Sequence, residues 1–215
     1  MKNWGIEFEY FIFDDKNEFV PAFEAGGSTD GNPLIGELRT GVNKSLIDSV
    51  FELQKLIYLE EQRLKSKGFR IGSVQEVKLS NELLQRLRSS EKYIDNKQLE
   101  FLKEYSVYGK KTGRVLPKNI VKASFQINVS DNATKTIHYT EDKERKEEPF
   151  TYSKVFDFYS IIKGLDNLFA EEIRTSKRVP GVFAIKEGSK GNRVEYRSLP
   201  NLIDVNKLLE FKYEA

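Results

Sequence analysis

Residues 4–13, WGIEFEYFIF, constrain this chain more than any other stretch, because their pattern has a period of two. Successive side chains of a strand point to opposite faces. On that reading Glu7 and Glu9 project from one side, and Trp4, Ile6, Phe8, Tyr10 and Ile12 take the other. A solvated antiparallel sheet carries paired carboxylates without difficulty. Here, however, Phe11 and Phe13 continue the acidic face, so that it turns apolar within one or two pleats. Carboxylates at the edge of an apolar surface need partners that compensate lost hydration.

The same pattern returns three times. In GELRT, residues 36–40, Glu37 and Arg39 share a face around Leu38; in RVEYRSL, residues 193–199, Glu195 and Arg197 flank Tyr196. ASFQINVS, residues 123–130, sets Ser124, Gln126, Asn128 and Ser130 against Ala123, Phe125, Ile127 and Val129. Four such strands predict an α+β arrangement in which a sheet packs its apolar face on helices. The other face lines a polar cleft that collects the carboxylates of Glu7, Glu9, Glu37 and Glu195, the guanidiniums of Arg39 and Arg197, and the amides of Gln126 and Asn128.

With 215 residues the chain fits one domain, 1–215, with a peripheral insertion expected at about 73–118. Its 35 basic and 33 acidic residues nearly cancel, which gives no reason to expect nucleic acid or a membrane surface as partner. No apolar run approaches the length of a membrane span, and no signal-peptide pattern follows Met1 and Lys2. The expectation is a soluble, cytoplasmic protein. The absence of cysteine and the single histidine exclude a disulfide framework, a thiol nucleophile and any cysteine or multi-histidine zinc site within the chain. A metal here must take oxygen ligands, which selects Mg²⁺ or Mn²⁺ before Ca²⁺.

Between the patterned strands, residues 14–17 read as a turn and 18–23 as a returning strand with Pro21 near an edge. Residues 25–32, AGGSTDGN, form a glycine-rich loop with neither GxxxxGK[ST] nor GxGxxG spacing, so a nucleotide would bind without those devices. Residues 43–67 have helical periodicity, with Leu46, Ile47, Val50, Phe51, Leu53, Leu56, Ile57 and Leu64 on one broad stripe and Gly68 able to end it. A short strand near 73–79 and a charged helical stretch from 80 to about 105 follow, then a basic loop at 110–118. The hairpin partner of ASFQINVS is expected at 134–140, where His138 reads as a surface or cross-strand residue, and 141–148 as a solvated charge run. A second amphipathic helix is expected over 153–174, and a short one from about 204. Basic residues gather late, at Arg178, Lys186, Lys190, Arg193 and Arg197.

Taken in order, GIEFEYF, VPAF, the glycine-rich loop with TDG, GELRT, SFQINVS, PGVFAIK and VEYRSLPN resemble the carboxylate–amine ligases of the glutamine synthetase and glutamate–cysteine ligase superfamily. The likeness is greatest to the small, often phage-encoded amidoligases known as COOH–NH2 ligase type 2. It runs from residue 5 to 201, with 68–122 and the run after 140 poorly matched. The resemblance implies a curved antiparallel sheet backed by helices, with ATP and divalent ions on its concave face. Glu7, Glu9, Glu37 and Glu195 would be metal ligands, Arg39 and Arg197 would meet phosphate, and Gln126, Asn128 and Lys186 would help to hold the nucleotide. The chemistry implied is ATP-dependent conversion of a carboxylate to an acyl phosphate, which an amine attacks to give an amide. Glu195, Arg39 and Arg197 would carry that step. The family usually has H-x-H where this chain has Gln126 and Asn128, whose amides offer a carbonyl oxygen or an N–H but no imidazole. Phosphoryl transfer relies on positioning and charge neutralisation, which carboxylates, a hard cation and arginines provide without cysteine or histidine. Two other readings stay open: a phosphotransferase related to guanidino kinases, and a non-catalytic nucleotide-binding or virion-associated module.

Overall fold

The polar and apolar alternation seen in the sequence organises a six-stranded antiparallel sheet. The structure, a computed structural model, describes residues 2–29, 32–88, 104–108, 119–131, 152–186 and 193–212. Four patterned strands lie side by side: β4 (Gly36–Arg39), β1 (Lys2–Tyr10), β9 (Ser124–Asp131) and β11 (Arg193–Pro200). Beyond β11 the sheet continues with β10 (Val182–Lys186) and β7 (Glu104–Ser106). Helices α1 (Leu46–Lys65), α3 (Tyr152–Leu168) and α4 (Ala170–Thr175) pack on one face. There Trp4, Ile6, Phe8 and Tyr10 of β1, Phe125, Ile127 and Val129 of β9, and Val194 and Tyr196 of β11 meet Val50, Leu53 and Leu64 of α1 and Phe158, Ile161 and Leu165 of α3. Burying each such side chain contributes about 1.5–3 kcal/mol before chain entropy is counted.

Helix α1 starts where Ser45, in extended conformation, accepts a hydrogen bond from the Asp48 backbone N–H, and the chain leaves it through Gly68 at φ +75°. Its apolar stripe is narrower than the sequence suggests. Leu46, Val50, Leu53 and Leu64 are buried, whereas Ile47 and Phe51 face solvent and Glu60 is buried in their stead. Glu60 is there because it accepts the Tyr10 hydroxyl at 2.5 Å and holds Arg63 at 2.6 Å.

The expected strand over residues 4–13 is two strands. After Tyr10 the chain leaves the main sheet, and β2 (Ile12–Asp14) pairs instead with β3 (Phe19–Val20) and β5 (Phe69–Ile71). The physical cause lies in Phe11. It turns into a second apolar cluster with Leu34, Ile35, Val77, Leu79, Leu84 and Ala123, and its carbonyl accepts from Gly72 N–H at 2.8 Å. That cluster is the apolar continuation of the acidic face. The returning strand is correspondingly short, ending before Pro21, and the turn ahead of it is closed by Asp14 Oδ1, which accepts from Lys16 and Glu18 N–H.

Further departures concern the middle and late helices. Residues 80–105 hold helix α2 (Asn81–Arg88) but end in strand β7, which pairs with β10, so the helical expectation fails at that end. Strand β6 (Glu76–Lys78) pairs with β8 (Ile120–Lys122) in a separate two-stranded sheet. The helix expected at 153–174 divides at Phe169, whose φ of −112° and ψ of 25° leave the helical region while its ring stays in the core. The C-terminal turn is a 3-10 helix, Val205–Glu210, capped by Asp204. The basic loop at 110–118, the partner strand at 134–140 with His138, the charge run at 141–148 and Lys190 lie outside the described residues.

Candidate functional site

Strand register decides which side chains meet, because directly paired residues of an antiparallel sheet share a face. Glu7 pairs with Arg39 on β4 and with Gln126 on β9. Glu9 pairs with Glu37 on β4. Asn128 pairs with Gly5 on β1 and with Glu195 on β11. Every expected carboxylate, guanidinium and amide of the four patterned strands therefore lies on one face, opposite the helices. Lys186 ends β10 at the register position of Arg193, and its side chain lies outside the described residues.

Arg197 reaches this face through an irregularity. Tyr196 pairs with Ile127 and Leu199 with Phe125, so Arg197 and Ser198 together lie opposite Gln126. Such a bulge re-aims side chains. Ser198 turns inward, its Oγ accepting from Val182 N–H at 2.9 Å, while Arg197 Nη1 lies 2.5 Å from Glu195 Oε1.

The face is layered by charge. Its floor is buried: Glu195 is 0% exposed, Gln126 3%, Glu7 6% and Glu37 8%. Above it the guanidiniums keep contact with water, with side-chain exposures of 43% for Arg39, 33% for Arg193 and 24% for Arg197. Arg39 Nε donates to Glu37 and lies 3.8 Å from Glu7 Oε1. Arg193 Nη2 lies 3.7 Å from the same Glu7 oxygen. Charges this far from bulk water are costly unless paired, and here arginines supply the pairing.

The amides have distinct surroundings. Asn128 Nδ2 donates to Glu7 Oε1 at 3.2 Å, and its Oδ1 accepts from Arg193 Nε at 2.7 Å. Both ends of that amide are engaged, so Asn128 bridges Glu7 to Arg193. Gln126 Nε2 donates to Glu9 Oε1 at 3.2 Å and to Ser124 Oγ at 2.9 Å. Its Oε1 is buried and accepts no hydrogen bond among the described residues.

Glu9 is held through both carboxylate oxygens. Its Oε2 accepts from the Ser124 backbone N–H and from Ser124 Oγ, both at 2.7 Å. Burial pushes the Glu9 carboxyl above its ordinary value, although the Ser124 bonds and the positive charges of Arg197 and Arg178 pull the other way. Part of the residue remains exposed, so dehydration acts on the carboxylate end of the side chain.

A divalent cation fits some of these groups better than others. Among the described residues no three His, Cys, Asp or Glu side chains are gathered at metal-holding spacing. Mg²⁺ commonly takes only one or two carboxylates, completing its shell with water and phosphate oxygens. The Glu9–Glu37 pair, directly opposed across two strands, meets that requirement, and Gln126 Oε1 is a further hard oxygen.

Several partnerships stand out only in three dimensions. Arg178 carries no spacing signal beyond its place in a basic cluster, and alternation puts Arg193 on the face of Glu195 without naming its partner; Arg193 holds Asn128, and Arg178 Nη2 donates to the Ala123 carbonyl at 2.6 Å beside the Ser124–Glu9 contact. The Tyr10–Glu60–Arg63 group lies on the helix side. Arg63 Nη1 donates to the Ala25 carbonyl at 3.3 Å, and Ser28 of the same glycine-rich loop accepts from Glu37 N–H at 2.9 Å, so the loop covers the outer edge of β4 beside the site. Burial would raise the Glu60 carboxyl, but the bonds from Arg63 and Tyr10 hold it below its ordinary value; burial first, and then Glu60, push the Tyr10 hydroxyl up.

The chain matches no protein-family model, and no curated protein is significantly similar to it. Among the described residues no helix is long and apolar enough to cross a membrane.

Proposed function

We propose that the polar face of this sheet binds ATP with Mg²⁺ or Mn²⁺ and joins a carboxylate to an amine through an acyl phosphate, as carboxylate–amine ligases of glutamine synthetase-like fold do. The observation that carries the reading is the layering: buried Glu7, Glu37 and Glu195 beneath partly exposed Arg39, Arg193 and Arg197, on one face of an antiparallel sheet whose other face packs on helices.

The layering suits an exchange of partners. Arginine matches phosphate bidentately as well as it matches carboxylate. When nucleotide enters, Arg39 and Arg197 transfer their donors from Glu37 and Glu195 to phosphate oxygens, and the released carboxylates need a new counter-charge. Mg²⁺, when bound, would supply that counter-charge and offset the negative charge of the phosphoryl group. Glu9 and Glu37 would hold the cation from adjacent strands, with Glu7 and Glu195 flanking. Asn128 keeps Glu7 and Arg193 in register throughout. No step requires a thiol or an imidazole.

The test is trapping with hydroxylamine as acceptor, across a panel of carboxylates in the presence of Mg²⁺ and ATP. The proposal expects a hydroxamate formed in equal amount with ADP. ADP release without hydroxamate would point to a phosphotransferase or ATPase, and ATP binding without any ADP to a non-catalytic module.

A further inference from the structure

Arg178 is presented by a stretch of chain that is pinned at both ends. Past the end of α4, Lys177 takes φ +55°, a left-handed conformation that a Cβ disfavours. Lys177 N–H donates to the Arg174 carbonyl at 3.1 Å and Arg178 N–H to the Ile173 carbonyl at 3.0 Å, which closes the helix. Three residues on, Gly181 N–H donates to Asp166 Oδ1 of α3 at 3.0 Å. From this fixed base the half-buried Arg178 side chain spans two strands of the sheet. Its Nη2 donates to the carbonyl of buried Ala123, just ahead of β9, at 2.6 Å, and its Nη1 to the Arg197 carbonyl on β11 at 3.4 Å.

The two carbonyls are not arbitrary ones. Arg197 belongs to the bulge opposite Gln126, where the ladder between β9 and β11 is interrupted and holds the main chain least. Ala123 precedes Ser124, whose N–H and Oγ anchor Glu9. One planar guanidinium therefore ties the backbone of Arg197 to the residue beside the Glu9 anchor, at a spacing that a single ammonium cannot reproduce. From the fastened backbone the Arg197 side chain extends to Glu195, Nη1 lying 2.5 Å from Oε1. We infer that Arg178 is a positioning residue for Arg197: it holds the main chain of the bulge still, so that the Arg197 guanidinium changes partner by turning about its own side-chain bonds. A binding group displaced by about an ångström loses much of its effect, so the fastening matters although Arg178 itself touches only backbone oxygens in these two contacts. Its consequence for phosphate binding rests on the ligase reading; the aiming of Arg197 does not.

The experiment follows the Nε–Hε signals of Arg197 and Arg39 in the full chain by ¹⁵N–¹H correlation, each assigned by its loss in Arg197→Met or Arg39→Met. Arg39, on the far edge strand β4, is the reference. Arg178→Met should displace the Arg197 signal by more than its linewidth and leave that of Arg39 in place. Arg178→Lys, which keeps the charge without the fork, should displace it as well. Ile161→Val, which loosens the helix layer instead, should move neither signal. An unmoved Arg197 signal in folded Arg178→Met, an equal displacement of Arg39, or an equal effect of Ile161→Val would each overturn the inference. Failure of both Arg178 variants to fold would also overturn it, by marking a purely structural residue. Calorimetric titration with Mg²⁺ and ATP separates the two readings. Where wild type binds, Arg178→Met should bind at least about tenfold more weakly, the worth of one charged hydrogen bond, and unchanged affinity would count against the inference. A displaced Arg197 signal in a protein whose wild type binds no ATP would remove the nucleotide reading and leave the positioning role. ATP binding with an unmoved Arg197 signal in Arg178→Met would remove the positioning role and leave the nucleotide reading.

Discussion

Arg197→Met asks whether the guanidinium layer is what keeps the carboxylate floor charged. Arg197 Nη1 lies 2.5 Å from Glu195 Oε1; Glu195 is 0% exposed and the Arg197 side chain 24%. Methionine keeps most of the stem and removes the charge. Breaking a buried ion pair from one side costs about 3–5 kcal/mol because the other charge is stranded, whereas an exposed pair is worth under about 1 kcal/mol. Arg197 is a quarter exposed, so water relieves part of the loss and the lower end, about 3 kcal/mol, is expected. In a domain of this size each kcal/mol moves the midpoint by about 2–4 °C, which gives a fall of roughly 6–12 °C. Adding Glu195→Gln removes the stranded charge and should restore more than half of it. Mg²⁺ should raise the midpoint of Arg197→Met more than that of wild type, since the freed carboxylate gains a counter-ion. Scanning calorimetry at pH 7.5 on the three proteins, with and without Mg²⁺, reads all of this. A fall under about 2 °C, equal in single and double variants, would match an exposed pair and refute the reasoning.

The raised Glu9 carboxyl gives a pH signature. Below the ordinary value of 4.5 the group is protonated in both states and adds nothing; as pH rises past 4.5 the unfolded chain ionises first, so wild type loses stability until the folded value is passed. Glu9→Gln lacks that loss, and urea midpoints taken from acid to neutral pH should fall less steeply than in wild type; parallel profiles would contradict the burial of this carboxylate. Gly36→Ala sets a methyl inside van der Waals contact of the Tyr10 ring, which must shift, so urea unfolding should show a loss of about 1–3 kcal/mol. A neutral result would mean that the ring yields freely. Asn128→Leu and Arg193→Gln should each destabilise, but less than additively together, because one bridge is removed in either case; additive losses in denaturation would show that Asn128 and Arg193 do not share an interaction.

Much of the site was legible because strand periodicity is an arithmetic property of the sequence. Once residues 4–10, 36–39, 124–131 and 193–200 are adjacent strands, burying their apolar alternates on one side brings Glu7, Glu37, Gln126, Asn128 and Glu195 to a common face. Partner choice within that face was not legible. Nothing in ASFQINVS distinguishes Gln126, with its orphaned carbonyl, from Asn128, whose amide is used at both ends; the difference arises from which neighbour each meets across the strands. Alternation along β11 puts Arg193 on the face of Glu195, but its partner came only from the diagonal contact to β9. The break after Tyr10 was equally hidden, since alternation continues through Phe11 to Phe13 while the strand's partners change. At α1 the periodicity counted Ile47 and Phe51 as core although they are exposed, and gave no sign of Glu60, whose burial depends on Tyr10 from β1.

The central claim, that this face is where nucleotide and cation meet, is tested most directly by a crystal structure with Mn²⁺ and a non-hydrolysable ATP analogue, read by the anomalous signal of manganese. The account predicts a manganese peak at coordination distance from carboxylate oxygens of Glu9 or Glu37, sharing phosphate oxygens with Arg39 or Arg197, and both arginines moved off their present carboxylates. Nucleotide bound elsewhere on the chain, or manganese away from the polar face with the Arg197–Glu195 contact intact, would contradict it.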